Sequence, residues 1–233
     1  MPGTRRVRDA HVTRVRGCPG HAGSGRRAAC RRRTPLNDAV AALRAGQPVV
    51  LPFDTVYGLA AEPHAEGSTR RLYELKGRAQ AQPTALVAAS VDALRACLPE
   101  LDTTRDWHRL LPGPLTLVVA NPAHRFPWLT GTSPGTLGVR VPHLTGPTRA
   151  VLDELGAVVA TSANHPGGPD PRRLEDVPEE IRAGAAVVVD GGELPGTSST
   201  VVDLTGPEPR ILREGAVPAT EVLRRLQAAV RST

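Results

Sequence analysis

From Thr34 onward short apolar runs alternate with segments of helical periodicity, and this alternation restricts the fold more than any other feature. "LNDAVAALRAG" (36–46) spaces its apolar residues as a helix does and ends at Gly46, a helix-stop signal. "PVVLPF" follows as a strand, then "STRRLYELKG" as a helix with Ser68 as its N-cap, then the apolar run "TALVAA". "SVDALRACL" and "TTRDWHRLL" read as helices, and "LTLVVA" and "LGVRV" as strands. "GPTRAVLDELG" is a helix feeding the strand "AVVATS". "VPEEIRAG" carries Pro178 in its first turn, the strands "AAVVVD", "STVVDL" and "RILRE" come next, and "ATEVLRRLQAAV" closes as an amphipathic helix. The pattern predicts an α/β domain over 34–233, a twisted mixed sheet with flanking helices, and ligand sites where strands end.

The charge is unevenly placed. Residues 1–33 hold ten arginines and one aspartate, whereas residues 34–233 hold 19 basic and 22 acidic residues, so the excess of +6 comes from the first segment. That segment has Gly, Pro and Arg but no hydrophobic period, and reads as an unstructured basic extension. An arm touching phosphate backbones is the alternative. Three cysteines, Cys18, Cys30 and Cys97, lack paired spacing and argue against a disulfide framework. No apolar run reaches the ~20 residues of a membrane span, and the expected location is cytoplasmic.

No Walker phosphate loop, GxGxxG, HExxH or GxSxG motif is present, and the histidines are scattered. Polar residues instead interrupt strand-like text at "PFDTVYGLA" (52–60), "KGR" (76–78), "TSANHPGG" (161–168) and "GTSSTVVD" (196–203). Hydroxyls, amides and free backbone N–H groups after a strand suit phosphate or carboxylate oxygens, and equally suit caps and turns. Arg140 and Arg213 each sit in an aliphatic run, where a guanidinium needs either an anionic ligand or a structural carboxylate. Lys76 is the only lysine, beside 28 arginines.

"LPFDTVYGLA", "LYELKGR", "PGPLTLVV", "GVRVPH", "ATSAN" and "SSTVVD…ILREGAV" occur in the order and approximate spacing of the YrdC-like threonylcarbamoyl-adenylate synthases, and the chain resembles that family over about residues 36–217. The resemblance implies a concave basic cavity on the sheet and an enzyme of the nucleotidyltransferase class. Its reaction joins L-threonine, bicarbonate or CO2, and ATP into threonylcarbamoyl-AMP and pyrophosphate, for N6-threonylcarbamoyladenosine at position 37 of tRNA. By motif match, Lys76, Arg78, Ser162 and Asn164 carry the catalytic signature. Thr55, Arg140, Ser162 and Ser199 are implied for L-threonine, and Arg78, Thr136, Asn164 and Arg213 for ATP. Mg2+ is implied with ATP and no protein metal site is declared. Weak contact with tRNA or double-stranded RNA and a downstream threonylcarbamoyl transferase complete the implied partners, with no membrane.

The sequence departs from the family pattern at Phe53, where threonine is usual, at Ala79 after the Lys-x-Arg pair, and at His165–Gly167 after the Ser-Ala-Asn step. Two other readings stay open: an RNA-binding or regulatory module of this fold, and a paralogue handling carbamoyl-adenylate.

Overall fold

The computed structural model describes residues 35–101 and 110–230; the basic segment 1–33 and most of "TTRDWHRLL" lie outside the described residues. In chain order the elements are α1 (Pro35–Arg44), β1 (Val49–Pro52), β2 (Tyr57–Ala61), α2 (Glu66–Lys76), β3 (Ala85–Ala88), α3 (Val91–Cys97), β4 (Leu115–Ala120), β5 (Thr136–Arg140), α4 (Gly146–Leu155), β6 (Ala157–Ser162), α5 (Glu179–Gly184), β7 (Val187–Val188), β8 (Thr200–Asp203), β9 (Arg210–Arg213) and α6 (Ala219–Val230). The strands form one mixed sheet in the order β7-β1-β2-β6-β3-β5-β4-β8-β9. This is the α/β architecture with flanking helices that the alternation predicts. Among the described residues no helix is long and apolar enough to cross a membrane.

The period of two along each strand divides the core into two layers. On one face Val49 and Leu51 of β1, Ala60 of β2, Val87 of β3 and Val158 of β6 pack against Ala39, Val40 and Leu43 of α1 and Val151 and Leu152 of α4. On the other, Val50, Leu59, Leu86, Val159, Leu117 and Val202 meet Leu72 and Tyr73 of α2, Leu94 of α3, Ile181 of α5 and Val222 of α6.

The first face is covered over only half its width. The strand residues in its core come from β1, β2, β3 and β6, and none from β4, β5, β8 or β9. Accordingly Leu115, Leu117 and Val119 of β4 are buried while Thr116 and Val118 between them are only half-buried. Likewise Leu137 and Val139 of β5 are buried between the half-buried Thr136, Gly138 and Arg140. The uncovered half of this face is the floor of a cleft.

Three local expectations need correction. Ser68 lies inside α2 and is buried, and the helix begins at Glu66 with no side-chain cap from Ala65. The Glu62 carboxylate does the work just upstream, accepting the His64 and Ala65 N–H groups at 2.8 Å each. The run "AAVVVD" yields only the two residues of β7. Its end is drawn away by Tyr57, whose hydroxyl sits 2.9 Å from Asp190 Oδ1 and accepts the Gly191 N–H at 2.9 Å. Finally, "PFDTVYGLA" contains a strand of its own, β2, which pairs antiparallel with β1 through a tight turn at residues 53–56.

Candidate active site

The cleft has a volume of about 620 Å³ and is lined from many parts of the chain, among them the β1–β2 turn, the loop after α2, strands β3, β4, β5 and β6, and the β8–β9 hairpin. Seven of the nine residues singled out by the sequence line it: Thr55, Arg78, Thr136, Arg140, Ser162, Ser199 and Arg213. Lys76 and Asn164 do not; they lie beneath its wall, 2% and 7% exposed.

Lys76 ends α2 because Gly77, at φ 68°, takes the left-handed conformation that closes the helix. The buried ammonium donates to Ser162 O at 2.5 Å, to Asn164 O at 2.8 Å and to Asn164 Oδ1 at 2.8 Å. With Ser162 Oγ a longer fourth contact at 3.4 Å, the three hydrogens of the ammonium are fully engaged. Ser162 Oγ donates to Asn164 Oδ1 at 2.7 Å, and Asn164 Nδ2 donates to Gly168 O at 2.7 Å. The four signature residues therefore divide into a buried clamp, Lys76 with Asn164, and two groups that face the cleft, Arg78 and Ser162. Burial, with help from the Arg78 charge and against Asp170, lowers the Lys76 pKa to about 8. The position asks for a compact cation under a turn, not for one on the cleft surface.

Arg78 leaves the helix end and donates to Pro83 O at 2.5 Å, with its guanidinium 6.0 Å from the centroid of the Tyr73 ring. Tyr73 also donates from its hydroxyl to Gln82 O at 3.0 Å, so one buried tyrosine holds both the arginine and the loop that carries it. Tyr73→Phe keeps the ring and frees Gln82 O. A urea titration should give an unfolding free energy lower by about 1 kcal/mol, and an unchanged midpoint would remove this tie from the account.

Arg140 resolves the choice that its sequence context left open. Its Nη2 pairs with Asp54 and donates to Thr55 Oγ1 at 2.9 Å, while the second Asp54 oxygen accepts the His143 N–H at 2.9 Å. The arginine thus has a structural carboxylate and still lines the cleft. The β1–β2 turn and β5 are three strand spacings apart, about 14 Å in a flat sheet. Contact between them means that the turn leans across the sheet face and walls the cleft.

At the far side Arg213 donates to Ser199 O at 2.7 Å, and Ser199 Oγ is 2.8 Å from Thr116 Oγ1. Among the described residues no carboxylate pairs with Arg78 or Arg213. Burial chiefly, and Arg213 in addition, push the pKa values of Arg78 and Arg140 down from the usual guanidinium range. Their buried Nε atoms have no protein acceptor. Thr136 occupies the open end of β5 and donates to Ser133 O at 3.2 Å. No group of three or more His, Cys, Asp or Glu side chains able to hold a metal ion occurs among the described residues.

Sequence reasoning gave no role to Asp54, Tyr73 or Thr116. Asp54 stood inside a quoted motif, and a carboxylate beside Thr55 was a signal for Arg140. Thr116 is visible as a polar residue at an alternate position of "LTLVVA". Nothing in the sequence pointed from Tyr73 to residue 82.

The sequence matches the Sua5/YciO/YrdC family, described as "Telomere recombination", over residues 41–215. A Mycobacterium tuberculosis relative is 35% identical over 189 residues, covering 79% of this chain and 85% of its own length. The human threonylcarbamoyl-AMP synthase is 36% identical over 184 residues, 74% of this chain and 63% of that protein. The structure of Pyrococcus abyssi Sua5 complexed with L-threonine has a TM-score of 0.71 at 32% identity, over 82% of this chain and 56% of that one. This chain therefore spans little more than half of the archaeal protein. With residues 41–215 matched and relatives above 30% identity covering most of its length, the chain belongs to the Sua5/YciO/YrdC family.

Proposed function

We propose that this protein is an L-threonylcarbamoyladenylate synthase, a nucleotidyltransferase that uses L-threonine, bicarbonate or CO2, and ATP as its magnesium complex. The observation that carries the reading is the convergence of Arg78, Arg140 and Arg213 on one cleft where, among the described residues, only Arg140 of the three has a carboxylate partner, the Asp203 that also lines the cleft being paired with Arg210. Arg78 and Arg140, held down by burial and by the nearby Arg213 charge, call for anions, and their buried N–H donors need acceptors. A carboxylate and a triphosphate supply both.

Arg140 and Thr55 receive the threonine carboxylate, with Ser162 and Ser199 placing hydroxyls along the amino acid. Arg78 and Arg213 face the phosphates, Thr136 marks the nucleotide end, and Asn164 acts through the turn that presents Ser162. The threonine amine adds to CO2 and loses a proton, giving a carbamate. A carbamate oxygen then attacks the α-phosphorus, the bond to the β-phosphate oxygen breaks, and pyrophosphate leaves. Two anions must approach each other, so fixed positive charge lowers the barrier without any covalent enzyme intermediate. The product's onward use, transfer of the threonylcarbamoyl group to tRNA, belongs to a separate transferase.

The test is pyrophosphate release from ATP with and without L-threonine and bicarbonate. Release that needs both is expected. Release that is independent of threonine, or that appears only with carbamoyl phosphate, overturns the assignment.

A further inference from the structure

Two glycines line the cleft, Gly58 in β2 and Gly138 in β5, and they are there for different reasons. A Cβ on Gly58 would lie 2.6 Å from two ring carbons of Phe53, so packing alone demands glycine. A Cβ on Gly138 would meet nothing nearer than Ala85 Cα and Thr84 O, both at the ordinary distance of 3.6 Å. Nor does Gly138 take a positive φ. A glycine in a strand interior weakens the strand and often marks close approach by a ligand. The fold gains nothing from this one.

The surroundings indicate what it is for. Gly138 lies in the cross-strand row Val118, Gly138, Ala85 and Ala160, in which Gly138 and the two alanines on one side of it leave the sheet backbone almost bare. Along β5 it is the middle member of the cleft-facing set Thr136, Gly138 and Arg140, about 7 Å from each neighbour at the strand's rise. Thr136 marks the nucleotide end and Arg140 the amino-acid end in the proposed reaction.

We infer that Gly138 is a shape-determining residue of the cleft floor, bare so that the two substrates can meet against the β5 backbone; the inference rests on the proposed function. The carbamate and the α-phosphate come together over this position. A side chain here blocks their approach while leaving the fold intact.

The experiment compares wild type with Gly138→Ala, Gly138→Val and, as a packing control, Gly58→Ala. Thermal unfolding, pyrophosphate release, and calorimetric titration with L-threonine and with ATP are measured for each. Both Gly138 variants should melt at or above the wild-type temperature, since alanine and valine suit a strand better than glycine. Turnover should fall roughly tenfold for Gly138→Ala and more than about a hundredfold for Gly138→Val, the range that a methylene or two commands in a fitted site. Gly58→Ala should lose stability. Full turnover in Gly138→Val overturns the inference, as does a melting temperature that falls in step with activity in Gly138→Ala. If wild type shows no threonine-dependent turnover, the proposed function falls by itself. The floor is then judged by ATP titration, where Gly138→Val should bind roughly tenfold more weakly and unchanged affinity overturns it.

Discussion

Replacing Lys76 with methionine is expected to lower threonine-dependent pyrophosphate release by roughly a hundredfold or more, the cost of a small misplacement of reacting groups. The loss arises at one remove from the cleft, because Lys76 holds Ser162 O, Asn164 O and Asn164 Oδ1 from below. Methionine fills the space and takes the ammonium from Ser162 O and Asn164 O, while Asn164 Oδ1 keeps only the Ser162 hydroxyl. Stability should fall by about 1–3 kcal/mol, partly offset because a buried cation is removed. Lys76→Arg should not rescue, since a planar fork cannot replace an ammonium seated at the end of a helix under a turn.

The pH dependence separates this role from mere packing. The Lys76 pKa in the folded protein, about 8, lies below its ordinary 10.5. The unfolded chain thus binds more protons between those values, and this group's contribution to stability rises as pH climbs from about 8 towards 10.5. The clamp does the opposite, since loss of a proton leaves one acceptor unmet. Turnover should therefore decline through pH 8 while stability shows no matching decline from this residue, a difference read by comparing wild type with Lys76→Met. Turnover that is flat to pH 10 would sink the clamp account.

Asp54→Ala should lower the unfolding free energy by about 3–5 kcal/mol, as expected when a buried charge loses its partner. Arg140 and Asp54 side chains are 12% and 8% exposed, so water does not replace the lost carboxylate. The same change frees the guanidinium and the His143 N–H, and the KM for L-threonine should rise more than kcat falls. Asp54→Ala combined with Arg140→Met should recover part of the stability but none of the threonine dependence. A double variant no more stable than Asp54→Ala would show that the pair is not what holds the turn across the sheet.

The helices α1, α4 and α6 and the strands β4, β5 and β6 were legible because each has its own apolar period. β2 was not, because its five residues share one short text with β1 and the turn. Ser68 misled because a hydroxyl before an apolar run also suits a buried helical site, while the true helix start draws on Glu62, four residues before Glu66. At the cleft, residue types pointed to anion chemistry, and seven of the nine residues that the motifs single out line one cavity. What sequence could not supply was direction. Lysine at the end of a helix looks the same whether it points into a cleft or beneath its wall, and the partnership of Asp54 with Arg140 exists only because a turn leans over three strands.

That leaning turn has a consequence for how the protein is made. Asp54 meets Arg140 across 86 residues, Lys76 meets Asn164 across 88, and Thr116 meets Ser199 across 83. Contacts so remote in sequence carry a high loop-closure cost and form late, after the strands between them have paired. The cleft is therefore no local module that an incomplete chain could display. A growing polypeptide cannot assemble the full lining of the cleft until β8 and β9 have emerged.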